Sequence, residues 1–283
     1  GYGKMGKAIE NMARFRSHNI SLIINSKNLN HFNAQKLKNT DVIIEFSQPK
    51  FAFENIKKGL KFNKPVVSGT TGWLDKYDEI VQLCTHLNGT FIHSNNFSIG
   101  VNLFFELTKK LATLMAPYRD YIASIEETHH TEKKDAPSGT ALTLAETILQ
   151  NNLPINFDGI NTYLLHKDEI YNKKNTILNE LCYLHDNDDY EVEFNTTDDA
   201  ISNIVNLIEN DVLLDKNNRI FVKSKRIGLT PGTHIVKFKS DDDSIEIKHT
   251  ARNRDGFAYG VILAAEHVYN NKGIFTMKDI LNL

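Results

Sequence analysis

Between residues 20 and 93 the chain alternates short apolar runs with helical patterns. Ile20-Ser-Leu-Ile-Ile24, Asp41-Val-Ile-Ile-Glu-Phe46, Pro65-Val-Val67 and Thr90-Phe-Ile-His93 read as strands, and Phe51 to Leu60 and Asp75 to Leu87 as helices. The run at 41–46 is apolar enough to be covered on both faces, as strands of a parallel sheet are. Strand and helix in strict alternation predict an α/β unit with a doubly wound parallel sheet. In such sheets ligands bind beyond the carboxyl ends of the strands. That rule sends three turns to one rim: Gly1–Gly6, Ser68–Gly72 and Ser94–Ser98.

The first turn has dinucleotide-binding spacing. Gly1-Tyr-Gly-Lys-Met-Gly6 is G-x-G-x-x-G, and a helical pattern runs from Lys7 to about Phe15. Glycines so spaced permit a tight turn and let a pyrophosphate approach the backbone at a helix N-terminus, which makes Gly1, Gly3, Lys4, Met5 and Gly6 cofactor candidates. The motif alone equally fits a glycine-rich loop; the surrounding alternation makes it a Rossmann-like site. No strand precedes it in the numbered chain, so residues upstream, a first strand among them, are expected. After the second predicted strand an NAD-selective site places an acidic residue for the ribose 2′-OH. Here Asn25-Ser-Lys27 stands instead. With no carboxylate to repel a 2′-phosphate and Lys27 to attract one, the cofactor expected is NADPH by preference, with NADH as the alternative.

A second unit follows. Ile99 to Ala116 reads as a long helix and Tyr121 to Ile125 as a strand leading to Glu127-Thr-His-His-Thr-Glu-Lys-Lys-Asp-Ala-Pro-Ser-Gly-Thr140. Ser138 suits a helix N-cap, and Ala141–Leu149 carries the helical pattern. The start of that helix, with Gly139 in its first turn, offers free N–H groups to an anion. His129, His130, Lys133 and Lys134 add protons and positive charge, so the stretch reads as a site for a small carboxylate that is protonated in a reaction. His234–Phe238 and Ser244–Lys248 alternate with period two and predict half-buried strands joined at Asp241–Asp243. The second unit is therefore expected to be an α+β domain with a mixed sheet, serving substrate binding and oligomerisation. The expected division is 1–98 with 254–283 for the dinucleotide unit and 99–253 for the second. Residues 151–223 are rich in Asn, Asp and Lys and read as short elements and loops. Asp186-Asn-Asp-Asp189 reads as a solvated loop, and His166 and His185 as surface or structural residues.

Net charge is −2, which gives no electrostatic case for nucleic acid or a membrane surface as partner. Cys84 and Cys182 have no metal-ligand spacing, so no metal site and no disulfide framework are expected, in keeping with a reducing, cytoplasmic setting.

The chain resembles the dihydrodipicolinate reductase family. The strongest carrier is His129-His-Thr-Glu-Lys-Lys-Asp-Ala-Pro-Ser-Gly-Thr-Ala141, which matches the family's His-His-x-x-Lys-x-Asp-Ala-Pro-Ser-Gly-Thr-Ala run. Gly1–Gly6, Ser68–Gly72, Asn95–Ser98 with Gly100-Val-Asn102, and His249-Thr-Ala with Arg254, Phe257 and Ala258 agree in order, as does Gly273–Met277. The likeness covers most of 1–150 and 224–283 but not 151–223. It implies a two-domain homotetrameric reductase that uses NADPH or NADH to reduce a dicarboxylate in lysine and diaminopimelate biosynthesis. It further implies His129 as proton donor, with Lys133 and His130 holding the substrate and Ser138, Gly139 and Thr140 taking a carboxylate. Gly69, Thr70 and Thr71, with Asn95, Asn96, Phe97 and Ser98, would meet the nicotinamide side. Two rival readings are another Rossmann-type dehydrogenase and a non-catalytic nucleotide-sensing regulator. Neither accounts for the His129–Thr140 run.

Overall fold

The structure, a computed structural model, describes residues 1–118, 120–152, 160–166 and 220–283. The acidic run Asp186–Asp189, His185 and most of 151–223 lie outside the described residues; for His166 only the backbone is described. Two compact units divide the chain: Gly1–Glu106 with Ala251–Leu283, and Leu107–Thr250.

In the first unit, α1 (Lys4–Phe15), α2 (Pro49–Lys61) and α3 (Tyr77–His86) alternate with β1 (Ile43–Glu45), β2 (Val66–Ser68) and β3 (Thr90–His93). The strands pair in parallel, β1 with β2 and β2 with β3. The alternation of strand side chains explains the layers. Val67 and Ile92 enter one core with Ile9, Ala13, Val261 and Val268, whereas Val66 and Phe91 enter another with Ile56, Leu60, Trp73 and Ile80. Both phases are buried, so both read as apolar in the sequence.

Two features depart from expectation. Residues 20–24 form no strand: a groove of about 660 Å³ lies along them, with Ile24 and Ile44 among its lining residues, and no ladder closes across it. The fourth strand is instead β9 (Gly273–Phe275), parallel to β3, in register Thr90 with Gly273. Three residues are too few to show a period. β9 follows α6 (Asp255–Asn270), and α7 (Met277–Leu281) starts in a capping box formed by Thr276 and Asp279.

The helix α4 (Ile99–Met115) is shared by the two units, so the division falls inside it rather than before it. Asn102 fixes its first turn to the first unit by donating through Nδ2 to the carbonyls of Asn96 (3.0 Å) and Ser98 (2.8 Å).

The second unit holds a mixed five-stranded sheet in the order β5-β6-β4-β7-β8. These are β4 (Ile122–His129), β5 (Ile160–His166), β6 (Ile220–Arg226), β7 (Gly232–Lys239) and β8 (Ser244–Ala251), with α5 (Gly139–Asn152) following β4. β4 runs parallel to β6 and antiparallel to β7. It continues four residues past the expected end because it has a partner on each side as far as Thr128 and β6 alone at His129. On its buried phase Ile125 stands between Val222 and Val236. Two residues on, Glu127 stands between Ser224 and His234. Then His129 faces Arg226. One face of the sheet thus turns from apolar to polar along a single register, and this polar end positions the site.

Candidate active site

On the first unit, the Ser68–Gly72 and Ser94–Ser98 turns follow the ends of β2 and β3, and Gly1 lies against Phe46 just past the end of β1. Gly3 is the N-cap of α1, and the carbonyl of Gly3 takes the N–H of Lys7 (3.1 Å), leaving the N–H groups of Lys4, Met5 and Gly6 without intrahelical acceptors. The glycines divide by role. A Cβ on Gly1 would lie 2.1 Å from the Phe46 carbonyl oxygen, and one on Gly6 2.6 Å from that of Gly1; one on Gly3 would meet nothing within 4 Å. Gly1 and Gly6 are demanded by packing. Gly3 is not, and its open side is where a phosphate would approach. The residues therefore fit a dinucleotide. Asn25 and Lys27 sit in a tight turn in which Lys27 N–H donates to Asn25 Oδ1 (2.9 Å), and the Lys27 side chain is exposed.

A carboxylate organises the second and third turns. Glu45, buried at the end of β1, accepts from Ser47 N–H (3.0 Å), Asn55 Nδ2 (3.3 Å), Ser68 Oγ (3.3 Å) and Thr70 Oγ1 (2.7 Å), and also from the Ser47 hydroxyl. Thr70 is thereby fixed by its side chain. Its carbonyl accepts from Trp73 Nε1 (2.7 Å) and faces His93 Nε2 (3.1 Å). Gly69 packs against Phe46, since a Cβ there would lie 2.2 Å from the ring, while Thr71 is exposed. In the 94–98 turn Asn95 is exposed, but Phe97 is in the core and Ser98 is buried with its N–H on Asn96 Oδ1 (2.9 Å). Phe97 and Ser98 shape this turn from beneath.

On the second unit, His129 and Glu127 project from the same phase of β4. The Glu127 side chain has no exposure. Its Oε1 accepts from Ser138 N–H (3.0 Å) and Ser224 Oγ (2.7 Å), and the Arg226 guanidinium lies 3.4 Å away. Its Oε2 faces two imidazoles, His129 Nδ1 at 3.4 Å and His234 Nε2 at 3.6 Å. Arg226, itself 2% exposed, also donates from Nη2 to the carbonyl of Asp135 (2.6 Å), from Nε to that of Lys133 (3.3 Å) and from Nη1 to that of Lys225 (2.9 Å). One guanidinium therefore ties the carboxylate to the loop that carries Lys133. Ser138 is buried: its N–H serves Glu127, and its Oγ meets His234 Nε2 (3.1 Å) and caps α5 by accepting from Ala141 N–H (3.2 Å). It holds the frame of the site, whereas Gly139 beside it is exposed, with nothing within 4 Å of where a Cβ would stand. Lys133 Nζ pairs with Asp135 (2.6 Å), His130 is half-buried, and Thr140 lies in the first turn of α5.

Burial disfavours the charged form of the His129 imidazole and lowers its pKa to about 4; Glu127 opposes this, while His234, Lys133 and Arg226 reinforce it. Burial alone would raise the Glu127 carboxyl. The contacts from His234, Ser138 and Ser224 and the charge of His129 outweigh it and hold the group well below the usual carboxylate range. Donor atoms of Glu127, His129 and His234 lie within 4.8 Å of one another, a grouping that could also suit a metal ion and that sequence spacing did not show.

Glu127, Ser224, Arg226 and His234 had no role in the reading of the sequence. The available signal was the appearance of polar residues on the buried phase of period-two strands: Ser224 and Arg226 after Ile220 and Val222, and His234 before Val236 and Phe238.

Residues 1–97 match the family model for the N-terminus of dihydrodipicolinate reductase, and residues 100–281 the model for its C-terminus. The second match spans 151–223, where the motifs alone showed no likeness. A 4-hydroxy-tetrahydrodipicolinate reductase of Christiangramia forsetii is 39% identical over 283 residues, covering 100% of this chain and 95% of the relative. One of Rickettsia rickettsii is 30% identical over 287 residues, covering 99% and 96%. A dipicolinate-bound dihydrodipicolinate reductase from Paenisporosarcina sp. TG-14 shares the fold, with TM-score 0.61, 22% identity and coverage of 97% of this chain and 94% of that one.

Proposed function

The chain belongs to the dihydrodipicolinate reductase family, and from that premise we propose how its residues divide the work of an NAD(P)H-dependent 4-hydroxy-tetrahydrodipicolinate reductase in lysine biosynthesis. The reaction consumes the reduced cofactor and a proton and yields tetrahydrodipicolinate, oxidised cofactor and water. When bound, the nicotinamide supplies the hydride. The α1 N-terminus receives the pyrophosphate through Gly3, Lys4, Met5 and Gly6. Asn25 and Lys27 take the adenosine ribose and favour NADPH. Gly69, Thr70, Thr71 and Asn95 line the nicotinamide side.

The dicarboxylate is met by Lys133, His130 and the N–H groups at Gly139 and Thr140, which together supply charge and oriented donors. His129 donates the proton that neutralises the negative charge left on the substrate carbon skeleton after hydride addition. Neutral in the free protein near neutral pH, it takes up its proton as the dianion arrives. The buried Glu127–His129 pair beside the open start of α5 is the observation that supports this reading, because it is an acid–base arrangement with one imidazole nitrogen left over for a ligand. The exposed outer strand β8 supports assembly into a homotetramer. No helix among the described residues is long and apolar enough to cross a membrane, and we place the enzyme in the cytoplasm.

The test is consumption of NADPH with substrate generated freshly by the preceding synthase, comparing the protein with its His129→Gln variant. Turnover that falls by about two orders of magnitude or more in the variant supports the assignment. Undiminished turnover removes His129 from the mechanism.

A further inference from the structure

The two nitrogens of the His129 ring have different surroundings. Nδ1 lies 3.4 Å from Glu127 Oε2. Nε2 faces Gly232 at the start of β7, where even a Cβ would come within 3.1 Å of it. The first nitrogen is enclosed by protein, and the second borders a position that carries no side chain. Glu127 in turn has no freedom, since Ser138 N–H, Ser224 Oγ and the Arg226 guanidinium hold its other oxygen.

We propose that Glu127 is a positioning residue for the reductase reaction: its carboxylate accepts the Nδ1 proton of His129, selects that tautomer, and so presents Nε2 as the atom that passes a proton to substrate. The inference rests on the reading of His129 as proton donor. It adds a fixed orientation and a named reacting nitrogen, and it assigns Arg226, Ser224 and Ser138 the task of holding the carboxylate. A pair of this kind works because the imidazole that gives up its proton at Nε2 keeps the one at Nδ1, where the anion stabilises the charged form. His234 stands on the other side of the same oxygen at 3.6 Å, with its ring 5.0 Å from that of His129. It fills the space that would let the His129 ring turn over. The charged and titratable groups around His129 are Glu127 on β4, Arg226 on β6, His234 on β7 and Lys133 in the following loop.

The experiment is the pH profile of kcat for the wild type, Glu127→Gln and His129→Gln. A proton donor must be protonated, so the wild-type kcat falls on the alkaline side. His129→Gln abolishes that limb; if the limb survives, the reading of His129 as donor fails, whatever Glu127 does. In Glu127→Gln the limb moves to lower pH by about one unit, because the charge that favours imidazolium is gone, and kcat falls at least about tenfold. A limb lost in His129→Gln yet unmoved in Glu127→Gln overturns the positioning role alone, since a merely structural residue lowers activity without moving it. Should Glu127→Gln fail to fold, ¹⁵N NMR of histidine-labelled wild type decides the matter. A neutral His129 protonated at Nδ1 upholds the proposal, and one protonated at Nε2 overturns it.

Discussion

Arg226→Met isolates what one buried charge contributes. The Arg226 side chain is 1% exposed and that of Glu127 has no exposure, so the variant leaves a carboxylate in the interior with two hydroxyl or amide donors and no full cation. Breaking a buried pair from one side costs about 3–5 kcal/mol. The carbonyls of Lys133 and Asp135 also lose their donor, which places the effect toward the upper end of that range. For a unit of this size each kcal/mol is worth about 2–4 °C, so the melting temperature of the second unit should fall by about 6–20 °C. Thermal unfolding followed by circular dichroism measures it, with the double variant Arg226→Met/Glu127→Gln as control. Removing the stranded charge should restore part of the loss, because much of the penalty is the unpaired carboxylate rather than the missing contact. A fall below about 1 kcal/mol, or a double variant no more stable than the single one, would refute the view that Arg226 compensates Glu127.

Four further outcomes follow from the geometry. The pKa of His129 is about 4 in the folded chain against an ordinary 6.5, so the unfolded state binds the proton first and stability is lost as pH falls between those values. Melting temperature against pH should slope there by at most about 3 kcal/mol in total, and His129→Gln should flatten the slope. Gly232→Ala puts a methyl group 3.1 Å from His129 Nε2 at a backbone φ of 157°, and should lower kcat about tenfold and also lower the melting temperature, since an L side chain is strained there. Gly69→Ala would set a Cβ 2.2 Å from the Phe46 ring and should destabilise the first unit by about 1–3 kcal/mol, seen in denaturant unfolding. Lys27→Glu should raise KM for NADPH at least about tenfold relative to NADH, by loss of a charge-assisted contact; an unchanged ratio of the two KM values would remove Lys27 from cofactor selection.

The first unit was legible because its sheet is covered on both faces. Val66, Val67, Phe91 and Ile92 are all buried, so the strands show as unbroken apolar runs. Residues 20–24 carry the same signal without a ladder, because strand propensity is local and pairing is not. The His129–Thr140 stretch was legible for its unusual composition, and the capping role of Ser138 follows from its place before an apolar helix. The carboxylate and guanidinium behind it were not. Glu127 and Arg226 are 99 residues apart, and only the parallel pairing of β4 with β6 makes them neighbours. A lone arginine at the end of a strand looks solvated in a sequence, yet Arg226 is 2% exposed.

The apolar-to-polar gradient along one face of the five-stranded sheet has a consequence for how this protein can change over time. Glu127, His129, Arg226 and His234 reach the same side only because three strands keep one alternation. Inserting or deleting a single residue in β4 ahead of Glu127 would turn the carboxylate and the imidazole toward the opposite face together. Point substitutions can adjust the acid–base pair, but length changes inside these strands would remove it whole. A change in chain length that keeps the site must therefore fall in the connections, and the strands that carry it keep or lose the site as one block.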